Sequence, residues 1–190
     1  MSYLRFIYEY VKNPRNVGAV VPSSDALAKK MVENIDFSNA RCIVEYGAGT
    51  GVFTKKILEK KNNNTIFLSF ETNEKFFKIL KDQLSIEENN NFVLINDSVE
   101  DVEKYLKMYN VSSVDYIISG LPFTSLPKNI SDKVLTLTKK LLQDKAEFIT
   151  FQYTLVKMNF FKQYFDNISY KRVLFNIPPA YVLRCKNLDK

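Results

Sequence analysis

Between residues 41 and 151 the chain alternates short apolar, β-branched runs with longer stretches of helical spacing. The runs occupy residues 41–46, 65–70, 92–95, 114–119 and 146–151, and read as strands. Residues 55–60, 74–84, 99–109 and 132–142 are the helices between them. That βαβ rhythm predicts an α/β fold whose largely parallel sheet carries helices on both faces, joined by right-handed crossovers. Ahead of it a helix is expected from Asp25 to about Asn34, with Pro22 before it and Ser23 or Ser24 placed to cap its free amides. Past residue 151 the rhythm changes. A helix over 156–165 leads to strands at 170–176 and 180–185 on either side of Pro178 and Pro179, a closing hairpin.

The opening segment has its own pattern. Leu4, Ile7, Tyr8 and Val11 follow helical spacing while Arg5, Lys12 and Arg15 lie nearby, so residues 1–24 read as a basic amphipathic helix and loop ahead of one domain over 25–190. Packing on that domain and lying on a membrane surface are both open to such a helix. With 190 residues and 46% hydrophobic content, one full core is the expectation. No run approaches the roughly 18 apolar residues of a spanning helix, and the start lacks the pattern of a signal peptide, so the cytosol is the expected compartment. Twenty-seven Lys and Arg against 21 Asp and Glu give a formal charge of +6, which favours an anionic partner, nucleic acid or membrane. Cys42 and Cys185 suggest neither a disulfide framework nor a metal site. The absence of any histidine rules out His-dependent triads and imidazole metal ligands.

The chemistry concentrates at strand ends. Glu45-Tyr46-Gly47-Ala48-Gly49-Thr50-Gly51 is a glycine turn between an expected strand and helix, where positive φ and close ligand approach both require a missing Cβ. Its third glycine comes one position too early for the dinucleotide fingerprint, which disfavours nicotinamide and flavin cofactors. Glu71 ends the next strand, where a carboxylate can accept both hydroxyls of a ribose. Asp97 ends the third and is placed to receive an adenine amine, while Ser98 reads as a helix cap and Asn73 as another. Glu45 either orders the turn or lies near a ligand amino group.

Glycine turn, second-strand Glu, third-strand Asp and a Pro-aromatic pair after the fourth strand together resemble the class I S-adenosylmethionine-dependent methyltransferases, over about residues 40–152. The resemblance implies a Rossmann-like seven-stranded, mostly parallel sheet with a C-terminal antiparallel strand. It implies S-adenosylmethionine as cofactor, S-adenosylhomocysteine as product and no metal. Glu45, Gly47, Ala48, Gly49, Thr50, Gly51, Glu71, Thr72, Asp97, Ser98 and Ser119 are the implied cofactor contacts. The fourth-strand loop, Gly120-Leu121-Pro122-Phe123, resembles the segment that aims an acceptor amine in nitrogen methylation, so these four are the catalytic candidates.

Ser119 to Pro122 followed by Ser125-Leu126-Pro127, together with Gly18 to Ser24 and Asn176 to Val182, resembles the soluble bacterial phosphatidylethanolamine N-methyltransferases. That implies a phospholipid acceptor, peripheral attachment to the membrane's inner face through the first helix, and an acceptor pocket built from Tyr8, the 18–24 loop with Val21, Ser23 and Ser24, and Phe123. Tyr8, Tyr10, Tyr153 and Tyr181 are candidates for hydrogen bonding or for cation–π support of a methylated ammonium. The ribosomal RNA adenine N6-dimethyltransferases, whose loop reads Asn-Leu-Pro-Tyr, are similar at Leu121-Pro122 but differ at Gly120 and Phe123. Small-amine methylation and a silent S-adenosylmethionine-binding regulator are the remaining alternatives.

Overall fold

The structure of the protein, a computed structural model, describes residues 24–84 and 91–187, with only the backbone at 143–145. The expected amphipathic helix, with Tyr8, Tyr10, Val21 and Ser23, lies outside the described residues. Helix α1 (Asp25–Val32) begins where the Ser24 hydroxyl accepts the Leu27 amide at 3.1 Å, satisfying an otherwise orphaned donor. Its Leu27, Ala28, Met31 and Val32 form one buried face, and Lys29 and Lys30 occupy the last turn, where the helix dipole favours positive charge.

Seven strands follow in one sheet: β1 (Cys42–Tyr46), β2 (Ile66–Phe70), β3 (Phe92–Ile95), β4 (Val114–Ser119), β5 (Leu142–Gln152), β6 (Asn167–Val173) and β7 (Ala180–Lys186). Their order is β3-β2-β1-β4-β5-β7-β6, parallel throughout except that β7 runs antiparallel to both neighbours. All five residues of β1 are buried because it lies at the sheet's centre with helices on both faces. Helix α1 and α2 (Val52–Leu58) cover one face through a cluster that includes Met31, Ile43, Phe53, Ile57 and Ile149. On the other, α4 (Val102–Met108), α5 (Lys128–Leu141) and the short α6 (Met158–Phe161) close over Tyr46, Phe70, Ile117 and Phe148. Helix α3 (Glu74–Leu84) buries only Leu80.

Where the boundaries moved, the causes are local. Helix α5 starts at Lys128 rather than 132 because Pro127 suits a helix start, its lacking N–H being one that the first turn leaves unbonded anyway. The helix expected over 156–165 is one turn of α-helix, Met158–Phe161. Strand β6 stops at Val173 because Asn176 turns inward. Its side chain accepts the Ser24 amide at 3.0 Å and donates to the Pro178 carbonyl at 2.7 Å, so the chain folds back there instead of extending.

Candidate functional site

The strand order reverses between β1 and β4, and in open α/β sheets the crevice at such a point, beyond the strands' carboxyl ends, takes the ligand. Tyr46 is in register with Phe70 and with Ser119, and Phe70 with Ile95. Gly47, Glu71, Asn96 and Gly120 therefore leave the sheet from a single row. The amides of Gly47 and Ala48 both bond the Phe70 carbonyl, at 2.9 and 3.0 Å, which fastens the glycine turn to the end of β2. Gly47, Gly49 and Gly51 have φ of +75°, +55° and +78°. A Cβ at Gly51 would also collide with Leu80, so the single buried side chain of α3 packs where a glycine makes room.

Glu71 is buried and clamps this turn. One carboxylate oxygen accepts the Gly49 amide and the other the Asn73 amide, each at 2.7 Å, while Asn96 donates to the Glu71 carbonyl at 2.7 Å. Burial pushes its pKa up, against the pull of the amides of Asn73, Gly49 and Thr72. Asn73 also caps α3 as expected, accepting the Lys75 and Phe76 amides. Behind the turn, Glu45 is fully buried. Its Oε2 accepts hydrogen bonds from Thr54 at 2.7 Å and Ser69 at 2.6 Å, whereas Oε1 is buried with no partner among the described residues. Burial outweighs the two hydroxyls and raises its pKa to about 7.

At the end of β3, Asp97 accepts the Ser98 amide and the Tyr105 hydroxyl, both at 2.8 Å, and the Tyr105 hydrogen bond is the chief reason its pKa is lowered. Ser98 caps the following 3-10 turn by accepting the Glu100 amide, while its own N–H goes to Asp97. Thr50 is exposed and Ala48 buried beside it.

The fourth-strand loop is tightly bonded. Ser119 is buried and its hydroxyl accepts the Leu121 amide at 3.2 Å; the Gly120 amide bonds the Tyr46 carbonyl at 2.8 Å. A Cβ at Gly120 would sit 2.7 Å from the Gly47 carbonyl oxygen, so β1 and β4 meet here more closely than any side chain permits. The Phe123 amide takes the Leu121 carbonyl, and the Ser125 and Leu126 amides take that of Pro122. Phe123, expected to shape the acceptor pocket, sits in the core. The side chain is 0% exposed and packs edge-on against Phe148 and Phe161, so it anchors the loop to the core.

The other acceptor candidates are dispersed. Ser24 serves as helix cap. Tyr153 packs against Phe151 with the α1 face, whereas Tyr181 packs with the α5 face beneath Arg172, so the two tyrosines lie on opposite sides of the sheet. Sequence reasoning passed over Ser69, Thr54, Tyr105 and Lys157, whose ammonium donates to the Phe123 carbonyl at 2.9 Å. Ser69 is opposite Glu45 in the β1–β2 register, a pairing that only the assembled sheet displays. Among the described residues no group of three or more Cys, Asp and Glu gathers as a metal site, and no helix is long and apolar enough to cross a membrane.

The family model of the ribosomal RNA adenine dimethylases matches residues 22–173. The ornithine lipid N-methyltransferase of Singulisphaera acidiphila is 28% identical over 191 residues, covering 100% of this chain and 98% of that one. A ribosomal RNA small subunit methyltransferase A of Clostridium botulinum is 26% identical over 141 residues, 74% of this chain but only 46% of its own length. Among solved structures, the precorrin-6y C5,15-methyltransferase of Geobacter metallireducens superposes with a TM-score of 0.66 over 85% of this chain and 86% of its own, at 10% identity, a likeness of fold alone.

Proposed function

The chain belongs to the ribosomal RNA adenine dimethylase family and is an S-adenosylmethionine-dependent methyltransferase; within that frame we propose that it methylates the primary amine of a lipid headgroup, phosphatidylethanolamine or an ornithine lipid, at a membrane surface. The observation that carries the reading is the similarity, along nearly the whole of both chains, to the ornithine lipid N-methyltransferase. Gly120 supports it. The Asn that the RNA dimethylases carry at this position to hold the adenine amine has no room beside the Gly47 carbonyl.

The cofactor's chemistry fits the pocket. Three glycines leave the turn's backbone open, Glu71 offers a carboxylate at the strand end, and Glu45 Oε1 is a buried acceptor still to be satisfied. When bound, S-adenosylmethionine supplies a methyl group made electrophilic by its sulfonium. Glu71 would hold the ribose hydroxyls and Asp97 the adenine amine. Glu45, at the back of the turn, lies where a cationic amino group would draw its proton away. With the Leu121 and Pro122 carbonyls taken inside the loop, the Gly120 carbonyl, which accepts no bond from the described residues, would orient an acceptor amine. Such an amine reacts neutral, and the apolar wall around Leu121 lowers the pH at which it sheds its proton.

A second reading, adenine N6-methylation of ribosomal RNA, rests on the family model and the Clostridium relative. Radiolabelled S-adenosylmethionine offered in parallel to amine-lipid vesicles and to unmodified small-subunit ribosomal RNA separates the two. Label in methylated lipid is the expected result; label in RNA alone overturns the proposal.

A further inference from the structure

Strand β6 runs parallel to β5, since both oppose β7, and Val173 pairs with Ala180 while Tyr181 pairs with Gln152. The β6–β7 turn, residues 174–179, therefore rises from the same edge of the sheet as the glycine turn and Glu71. It carries three of the eight exposed large hydrophobic side chains among the described residues. Phe175 is 87% exposed, Ile177 79% and Leu174 62%, and Val156, in the neighbouring connection after β5, is exposed with them. Single exposed hydrophobes are ordinary, but three within four residues of one turn call for a partner.

The turn is also tied down by hydrogen bonds. Asn176, buried between these exposed neighbours, ties it to the start of α1 through the Ser24 amide and to itself through the Pro178 carbonyl. In this conformation Leu174, Phe175 and Ile177 project from a turn whose one buried side chain is Asn176. Beside it, Lys29, Lys30 and Lys60 line, with Leu174 and Phe175, a cavity of about 530 Å³, while the Arg172 guanidinium lies over the Tyr181 ring on the other face of the sheet. The cavity's one carboxylate, Glu33, is engaged by Lys30 and Lys171, and Lys29 pairs with the exposed Asp25 at 2.7 Å, surface pairs that a phosphate can displace, while Lys60 adds a further cation.

We propose that the β6–β7 turn is a membrane anchor, whose Leu174, Phe175 and Ile177 enter the acyl region of an anionic phospholipid bilayer while the lysines beside it meet the phosphates. The proposal deepens the lipid reading above and rests on it for the bilayer as partner. It assigns the docking contact to a loop of the catalytic domain, in addition to any held by the first residues. Apolar side chains rimmed by cations are what an interfacial anchor needs: transfer of the former from water supplies the depth, and attraction to anionic headgroups the orientation. The geometry then points the carboxyl edge of the sheet, with its glycine turn and Gly120, at the membrane.

The chain contains no tryptophan, so Phe175→Trp makes a single-site fluorescence probe. Vesicles of phosphatidylcholine with phosphatidylglycerol, which offer no amine, test docking apart from methyl transfer. The expected result is a blue shift of the probe, binding that weakens in 0.5 M salt, and at least tenfold weaker binding by the pair Leu174→Ser with Phe175→Ser. Retained S-adenosylhomocysteine binding by that pair certifies its fold. An unshifted probe on bound vesicles, unweakened binding by the serine pair, or equal binding to pure phosphatidylcholine overturns the anchor. So does concentration-dependent self-association that the serine pair abolishes while vesicle binding persists, or binding to RNA in place of vesicles. Docking without any methylated lipid would uphold the anchor while refuting the acceptor reading.

Discussion

The two halves of the sheet's carboxyl edge are built on opposite terms. Around β1 to β4 most polar groups are engaged, with Glu45 Oε1 the acceptor left open: Glu71 holds two amides, Asp97 an amide and a phenol, and Gly120 and Gly47 leave no space between strands. Around β5, β7 and β6 the edge ends in side chains that the described residues do not cover, Val156, Leu174, Phe175 and Ile177. A cofactor pocket has to be preformed, because its precision is what positions a reacting methyl group. An acceptor side that meets an extended partner needs surface instead. The comparison teaches that the cofactor half is recognisable by short-range motifs, whereas the acceptor half is defined by what is exposed after folding.

Phe123 offers the hardest test of that division, because the sequence places it on the acceptor side and the structure on the packed side. Its ring fills a buried site between Phe148 and Phe161. Phe123→Ala is expected to cost about 3–5 kcal/mol of stability by urea denaturation, the usual loss for an aromatic in a core. Phe123→Leu should recover most of it and retain methyl transfer. A Phe123→Ala variant of unchanged stability but lost activity would return the ring to the acceptor pocket.

The next effect concerns the buried Glu45. A carboxyl whose folded pKa, about 7, lies above its ordinary 4.5 binds its proton more tightly in the folded chain. Its contribution to stability is therefore whole below pH 4.5 and is lost as the pH rises through about 7, an amount of roughly 3 kcal/mol. Glu45→Gln, which resembles the protonated form, should flatten that slope in denaturation series at pH 5 and pH 8. A slope equal to the wild type's in the Gln variant would assign the pH dependence elsewhere. At pH 6.5, binding of a cationic amino group beside Oε1 is expected to release a proton, measurable by calorimetry in buffers of different ionisation enthalpy.

Glu71 should show a comparable effect on binding. Removing its carboxylate is expected to weaken S-adenosylmethionine binding by roughly 1.5–3 kcal/mol, a loss of charge-assisted hydrogen bonds. Since Glu71 also clamps the Gly49 amide, Glu71→Gln, with one acceptor oxygen kept, separates the two duties. Affinity lost by Gln and Ala alike marks a ribose contact needing both oxygens, while affinity kept by Gln marks the clamp.

How much of this was legible beforehand follows the same line. Five strands, their parallel direction and the closing hairpin could be read because each leaves a run of adjacent apolar residues, and the glycine turn because φ near +75° narrows the choice of residue. Partners across strands were hidden. Ser69 and Glu45 are 24 positions apart and become neighbours only through the β1–β2 register. A Pro-aromatic pair does not disclose which way the Phe123 ring turns, and the faces of Tyr153 and Tyr181 depend on pairing that periodicity near a sheet's edge leaves loose. Asn176 carried no local signal at all, since its partners are the start of α1 and its own turn.

Ser24 gives the smallest effect and the finest discrimination between the halves. Its hydroxyl caps α1 by accepting the Leu27 amide, and its own amide belongs to Asn176, so the residue joins the start of the domain to the proposed anchor turn. Ser24→Ala removes the cap alone and should cost about 1 kcal/mol of stability, with Ser24→Asp restoring it. If the hydroxyl is only a cap, KM for the acceptor stays unchanged in both variants. A rise in acceptor KM for Ala that Asp does not correct would instead give Ser24 the substrate contact implied by the sequence, and would extend the acceptor surface from the β6–β7 turn across to the first residues of α1.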